Sequence, residues 1–244
     1  MEKALIVNNL VKSYGSLTAV DGLNLEVDSG ETFGLLGHNG AGKSTSIECI
    51  LGVKRPDKGS VRVLGMDPAV ERKKLFKRVG VQFQQTNYQD KITVSEICEV
   101  TSSLYKHPAA WKELLQTFGL AEKQKCPVSE LSGGERQKLS VLLALIPDPE
   151  LFFFDELTTG LDSKARRDIW KYLEKLKQKG HTIILTSHYM DEVETLCDRI
   201  CILKKGRIIE MGTVPELIGK SPYESLEEAY LWCSGEEDVI NESL

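Results

Sequence analysis

The octet GHNGAGKS at residues 37–44 constrains this chain more than any other stretch. It matches the phosphate-loop pattern G-x-x-x-x-G-K-[ST] and sits where such a loop must sit. ETFGLL (31–36) before it reads as a buried strand, and SIECILG (46–52) after it reads as a helix. The residue types follow from the chemistry. Gly40 and Gly42 let the backbone turn its N–H groups inward around phosphate oxygens. Lys43 brings a positive charge to the outer phosphates, and Ser44 offers a hydroxyl ligand for Mg²⁺. The helix start adds its own partial positive charge.

A loop of this kind requires a parallel sheet, and the rest of the chain supplies one. LFFFDE (151–156) is an unbroken apolar run ending in two acids, as a central parallel strand would be. Ile169, Leu173 and Leu176 then fall at helical spacing, with Gly180 marking the helix end. HTIILTSH (181–188) is a further strand, closing on a serine and a histidine. In an open α/β sheet the C-terminal strand ends share one edge, where ligands bind. Lys43 and Ser44, Asp155 and Glu156, and His188 are therefore expected to converge. Asp155 is placed to hold Mg²⁺ through its water shell, and Glu156 to act as base or polariser for an attacking water. The first 30 residues, with VRVLG (61–65), read as short antiparallel strands, while residues 86–147 read as an inserted helical lobe. In that lobe T-V-S-E at 93–96 is a capping box, opening a helix with Ile97, Val100 and Leu104 on one side. The expected fold is α/β: a P-loop NTPase core with a mainly parallel sheet, an N-terminal antiparallel β subdomain and the helical insertion.

Composition excludes several classes. The longest apolar run, VLLALI at 141–146, is stopped by Pro147, far short of the ~18 residues of a membrane span. The N-terminal MEKALIVNNL lacks the pattern of a secretion signal, so a cytosolic protein is expected. The net charge of −5 is uneven: seven acids and no Lys or Arg follow residue 220. The remaining 29 acids face 31 bases, a body near +2, and neither part suits a nucleic-acid backbone as main partner. The basic run RKKLFKR (72–78) reads as a solvated helix face. Six cysteines without a C-x-x-C pair read as reduced thiols.

Assembled in this order, the motifs resemble the nucleotide-binding subunit of an ATP-binding cassette (ABC) transporter over residues 1 to about 235. GHNGAGKST resembles the Walker A, GVQFQ (80–84) the Q-loop, and LSGGE (131–135) the LSGGQ signature. LFFFDE resembles the Walker B with its glutamate, TGLD (159–162) the D-loop, and His188 the switch histidine. The resemblance implies ATP and Mg²⁺. It implies nucleotide contacts from Gly37, His38, Asn39, Gly40, Ala41, Gly42, Lys43, Ser44 and Thr45, with Tyr14 stacking on adenine and Asp162 at the site. Gln84 would join Ser44 and Asp155 at the metal, and Glu156, His188 and Gln84 would serve hydrolysis.

It also implies that Ser132, Gly133, Gly134 and Glu135 face a nucleotide held by a second copy, since a signature helix start is an anion site. Two copies would then close on two ATP molecules and drive a separately encoded membrane-spanning partner from the cytoplasmic face. Glu135 stands where the family usually has Gln, and we expect it to reach back to the cap N–H rather than toward phosphate. Leu157 replaces a common proline. SLEEAYLWCSGEE (225–237) resembles the closing helix of bacterial drug- and lipid-exporter ATPases, which favours export over an importer subunit. A soluble relative acting on ribosomes or DNA is the other alternative. Such relatives carry two cassettes or a long coiled coil, whereas here Lys43 and Leu131 are 88 positions apart. The acidic residues 236–244 are expected to form a mobile tail.

Overall fold

A computed structural model describes residues 2–84 and 88–235. The acidic segment 236–244 and the expected start of the helical lobe at residue 86 lie outside the described residues. β1 (Lys3–Tyr14) and β2 (Leu17–Asp28) pair antiparallel, each 12 residues long, so one long hairpin replaces the short strands expected. Val7 and Leu10, three apart, both reach the core because the register shifts between them, where Asn9 takes a left-handed backbone (φ 47°).

β3 (Thr32–Leu36) is buried throughout and leads through the phosphate loop into α1 (Lys43–Ile50). β4 (Lys58–Val63) pairs with β1 to complete a three-stranded sheet ordered β2-β1-β4. α2 (Pro68–Leu75), capped by Asp67, precedes β5 (Val79–Gln82).

The helical lobe holds α3 (Val94–Ser103), α4 (Trp111–Thr117) and α5 (Gly133–Leu145). Thr93 and Glu96 form the expected capping box on α3. The face expected to be apolar turns inward only at Ile97, which packs against the lobe core beside buried Val94 and Cys98, while Val100 and Leu104 are 53% and 69% exposed. Periodicity shows which residues share a face, not which face meets the core.

After the lobe come β6 (Leu151–Asp155), α6 (Ser163–Gln178), β7 (Thr182–Ser187), α7 (Met190–Leu196), β8 (Arg199–Lys204), β9 (Arg207–Gly212), α8 (Val214–Lys220) and α9 (Leu226–Ser234). The large sheet is ordered β5-β6-β7-β3-β8-β9, and every pair is parallel except the closing β8–β9 hairpin. β6 explains its own sequence. Leu151 and Phe153 pack toward the antiparallel sheet and α1, while Phe152 and Phe154 pack toward the helical lobe and α6. A strand covered on both faces has no solvent side to make polar. Each fully buried Phe contributes roughly 1.5–3 kcal/mol, which fixes the strand whose end carries the two acids. No helix among the described residues is long and apolar enough to cross a membrane.

Candidate functional site

The phosphate loop is shaped by close approaches. Gly42 has φ 106°, and a Cβ there would strike the Ala19 carbonyl oxygen of β2. Gly42 is also the N-cap of α1 and offers no side-chain hydrogen bond to it. The N–H groups of the first helical turn are therefore left for a ligand. Lys43 is buried, and its Nζ donates to the carbonyls of Gly37 (2.6 Å) and His38 (3.1 Å). Burial pulls its ammonium below the usual lysine range, while the Glu156 and Asp155 carboxylates pull it back.

A cleft of about 390 Å³ opens over this loop. Asn39, Gly40, Gly42, Lys43, Ser44 and Thr45 form its floor, and Gln84 and Glu156 close one side. Tyr14, Leu17 and Ala19 form the other wall. The Tyr14 ring is 43% exposed, and Lys12 and Lys54 place their Nζ atoms 5.4 and 5.3 Å from its centre. That wall thus pairs an exposed aromatic ring with two cations beside it.

Glu156 has an uncommon backbone, φ 54°, which costs a non-glycine residue on the order of 1–3 kcal/mol. Hydrogen bonds to its backbone and its carboxylate hold it there. Its N–H donates to Thr186 Oγ1 at 2.9 Å, and its carbonyl accepts from Gln137 Nε2 at 3.2 Å. Gln137 also donates to the Leu157 carbonyl at 2.7 Å, so the turn built with Leu157 is pinned from α5, and Leu157 itself is fully buried. The Glu156 carboxylate, turned into the cleft, accepts from Gln84 Nε2 at 2.8 Å. Beneath it Asp155 is 3% exposed, and its Oδ1 accepts the Thr186 hydroxyl at 2.6 Å.

Thr186 and Gln137 were not picked out from the sequence. The place of Thr186, two positions before His188 in the chain, was the one hint, and the pairing that sets it opposite Asp155 appears only in the fold. Gln137 carried no comparable signal, because only the packing of α5 under the Glu156 turn gives it a task.

The remaining predicted residues do not line the cleft. His188 is exposed just beyond β7, its ring 4.2 Å from that of Tyr189. His38 is exposed on the loop and meets the Tyr230 ring of α9 at 5.4 Å. Gly37 and Ala41 lie beneath the loop, where a Cβ on Gly37 would clash with Ala41 and Leu203. Asp162 caps α6, accepting the N–H groups of Lys164 (2.9 Å) and Ala165 (2.8 Å), which hold its carboxyl below the ordinary range.

Ser132 caps α5 as a complete capping box. Glu135 N–H donates to Ser132 Oγ (3.2 Å), and Glu135 Oε2 accepts Ser132 N–H (2.9 Å). Glu135 Oε1 also pairs with Lys123 at 3.1 Å. The departure from Gln is thus accommodated within the helix cap, as its sequence suggested.

The sequence profile of the family described as "ABC transporter" matches residues 20–159, which span the phosphate loop, Gln84, the start of α5 and Glu156. The chain is 43% identical over 220 residues to a protein of Rhizobium etli named Nod factor export ATP-binding protein I, covering 88% of this chain and 70% of that one. The chain belongs to the ABC transporter family. Among solved structures, an ATP-binding subunit of an ABC transporter superposes with a TM-score of 0.87 at 27% identity, covering 94% of this chain and 99% of that one. A cassette solved as a dimer in a post-hydrolysis state with ADP and Pi gives 0.77 at 25% identity, covering 86% and 98%. ATP is accordingly the nucleotide of this ABC cassette, and its reaction is ATP hydrolysis.

Proposed function

We propose that the chain is the ATP-hydrolysing motor of an exporter, acting as a dimer of two copies on the cytoplasmic face of a membrane. A separately encoded membrane-spanning partner carries the cargo. The similarity to a protein named for Nod factor export supports the direction, and the dimeric solved cassette supports the assembly. The near-neutral body gives no support to a nucleic-acid partner. The helical lobe follows Gln84 in the chain, so a partner seated on it would feel the γ-phosphate through that side chain.

The observation that carries this reading is the convergence of Lys43, Ser44, Gln84 and Glu156 on one cleft. Lys43 neutralises the outer phosphates, and the loop glycines supply backbone donors. Tyr14 carries the adenine. The donor set of Ser44 Oγ, the Gln84 amide oxygen and the Asp155 carboxylate is all oxygen and suits a hard divalent ion. Asp155 has Oδ2 left over once Thr186 has taken Oδ1, which fits contact through the water shell of Mg²⁺. When bound, Mg²⁺ would offset the charge that develops on the β- and γ-phosphates.

The Glu156 carboxylate accepts the proton of the attacking water, and Gln84 and His188 register the γ-phosphate. Ser132 and the N–H groups of Gly133 and Gly134 complete the nucleotide site of the other copy, with Asp162 at the same interface. Glu156→Gln tests this reading. It should bind ATP as wild type does and turn over at least about 100-fold more slowly. Near wild-type turnover would remove Glu156 from the role of base.

A further inference from the structure

Glu192 lies on α7, four residues beyond His188, and is 1% exposed. No step proposed above uses it. Its Oε1 accepts the indole N–H of Trp170, on α6, at 3.0 Å. The carboxyl group also stands within reach of the Ser187 and Thr158 hydroxyls. Glu192 Oε2 and Thr158 Oγ1 are both buried, and neither has a hydrogen bond of good geometry. The Thr158 hydroxyl carries its own proton, so a small rotation would let it donate to Glu192 Oε2 and satisfy both oxygens.

Arg166 is the cation whose charge acts on Glu192, and its buried Nε–H makes no hydrogen bond. Arg166 binds Asp191 through its NH2 group at 2.9 and 3.1 Å and stacks on the Tyr189 ring at 4.3 Å. Burial pushes the Glu192 carboxyl above its ordinary range, and hydrogen bonds from Ser187, Trp170 and Thr158, with the charge of Arg166, only partly oppose it.

The placement gives the group a task. Thr158 stands two residues after Glu156, in the turn that leads to Asp162. Ser187 ends β7 and immediately precedes His188. We propose that Glu192 is a positioning residue for ATP hydrolysis, whose carboxyl ties the turn behind Glu156 to the loop carrying His188 so that the two hold a common position at the γ-phosphate. This rests on the assignment of Glu156 and His188 to the hydrolytic step.

The test measures kcat, KM and binding of a fluorescent ATP analogue for Glu192→Leu, Glu192→Gln, Thr158→Val and the Glu192→Leu/Thr158→Val double variant, with Glu156→Gln assayed beside them. Glu192→Leu should lower kcat by about ten-fold or more with nucleotide affinity unchanged, since misplacement and not binding is at fault. Glu192→Gln keeps the shape and the acceptor for the Trp170 indole, and should restore most of kcat. Thr158→Val, which preserves the fold by shape, should lower kcat alone, and the double variant should be no slower than the worse single one. Wild-type kcat in both Glu192→Leu and Thr158→Val would overturn the proposal. So would a Glu192→Gln protein as slow as Glu192→Leu, or a double variant whose losses multiply. If Glu156→Gln kept its turnover, the base assignment would fail instead, a result distinct from these.

Discussion

Two helices of this chain begin with glycines beside a serine, and they are built in opposite ways. α1 starts at Gly42 in a left-handed conformation, with no side chain over its N-terminal N–H groups and Lys43 buried in its first turn. α5 starts at Ser132 with its cap closed on both sides by Glu135. The first leaves its donors open to a phosphate and is walled by Tyr14, Gln84 and Glu156. The second satisfies part of its own donor set and lines no part of that cleft. A helix start can therefore stay open to an anion or be closed by its own cap. What decides is the supply of a local cap, not the glycines.

The comparison can be broken from either side. The largest effect should come from the open end: Lys43→Ala removes the charge that the loop holds by its own carbonyls. It should cost at least about 100-fold in turnover and weaken ATP binding measured by fluorescence. Ser132→Ala acts at the closed end. It should cost about 1 kcal/mol of stability through the lost cap, read by thermal melting. It should also lower turnover about ten-fold through the lost phosphate donor, with each copy's first binding of ATP unchanged. An equal loss of ATP binding in the two variants would erase the distinction.

Glu135→Gln sharpens it, because Gln also closes a capping box, and turnover should stay within about three-fold of wild type. Stability should respond to pH instead. Ser132 N–H, and after it Lys123, hold the Glu135 carboxyl below its ordinary range near 4.5. A carboxyl depressed by folding adds stability above its unfolded pKa and loses it as pH falls through the folded value. Any Tm advantage of wild type over Glu135→Gln at neutral pH should thus shrink as the pH falls below the ordinary carboxylate range. An advantage that stays constant with pH would mean that the cap does not depend on the charge.

Much of this was legible in the sequence where local chemistry and position coincide. The phosphate loop is contiguous, so its strand, glycines, lysine and helix can be read in order. LFFFDE announces a strand covered on both faces and ends on the two acids, and T-V-S-E and S-G-G-E announce caps that form as expected. What stayed hidden depends on partners far apart in the chain. Thr186 holds both Asp155 and the Glu156 backbone across a strand pairing 31 residues away, and Gln137 pins the same turn from α5. His38 sits in a contiguous motif, yet its ring contact is with Tyr230 near the other end of the chain. The burial of Glu192 could not be read from an acidic stretch, DEVE, that looks solvated. The β8–β9 hairpin turns on Lys205 and Gly206, both left-handed, a two-residue turn whose strand partners lie on either side of it.

The most direct test of the central claim is sedimentation velocity on Glu156→Gln with ATP and Mg²⁺, alone and combined with Ser132→Arg. If α5 serves the nucleotide of a second copy, Glu156→Gln should sediment as a dimer only with ATP present. The added arginine should then leave an ATP-bound monomer. An ATP-dependent dimer that survives Ser132→Arg, or an ATP-bound Glu156→Gln protein that stays monomeric at all concentrations, would contradict it.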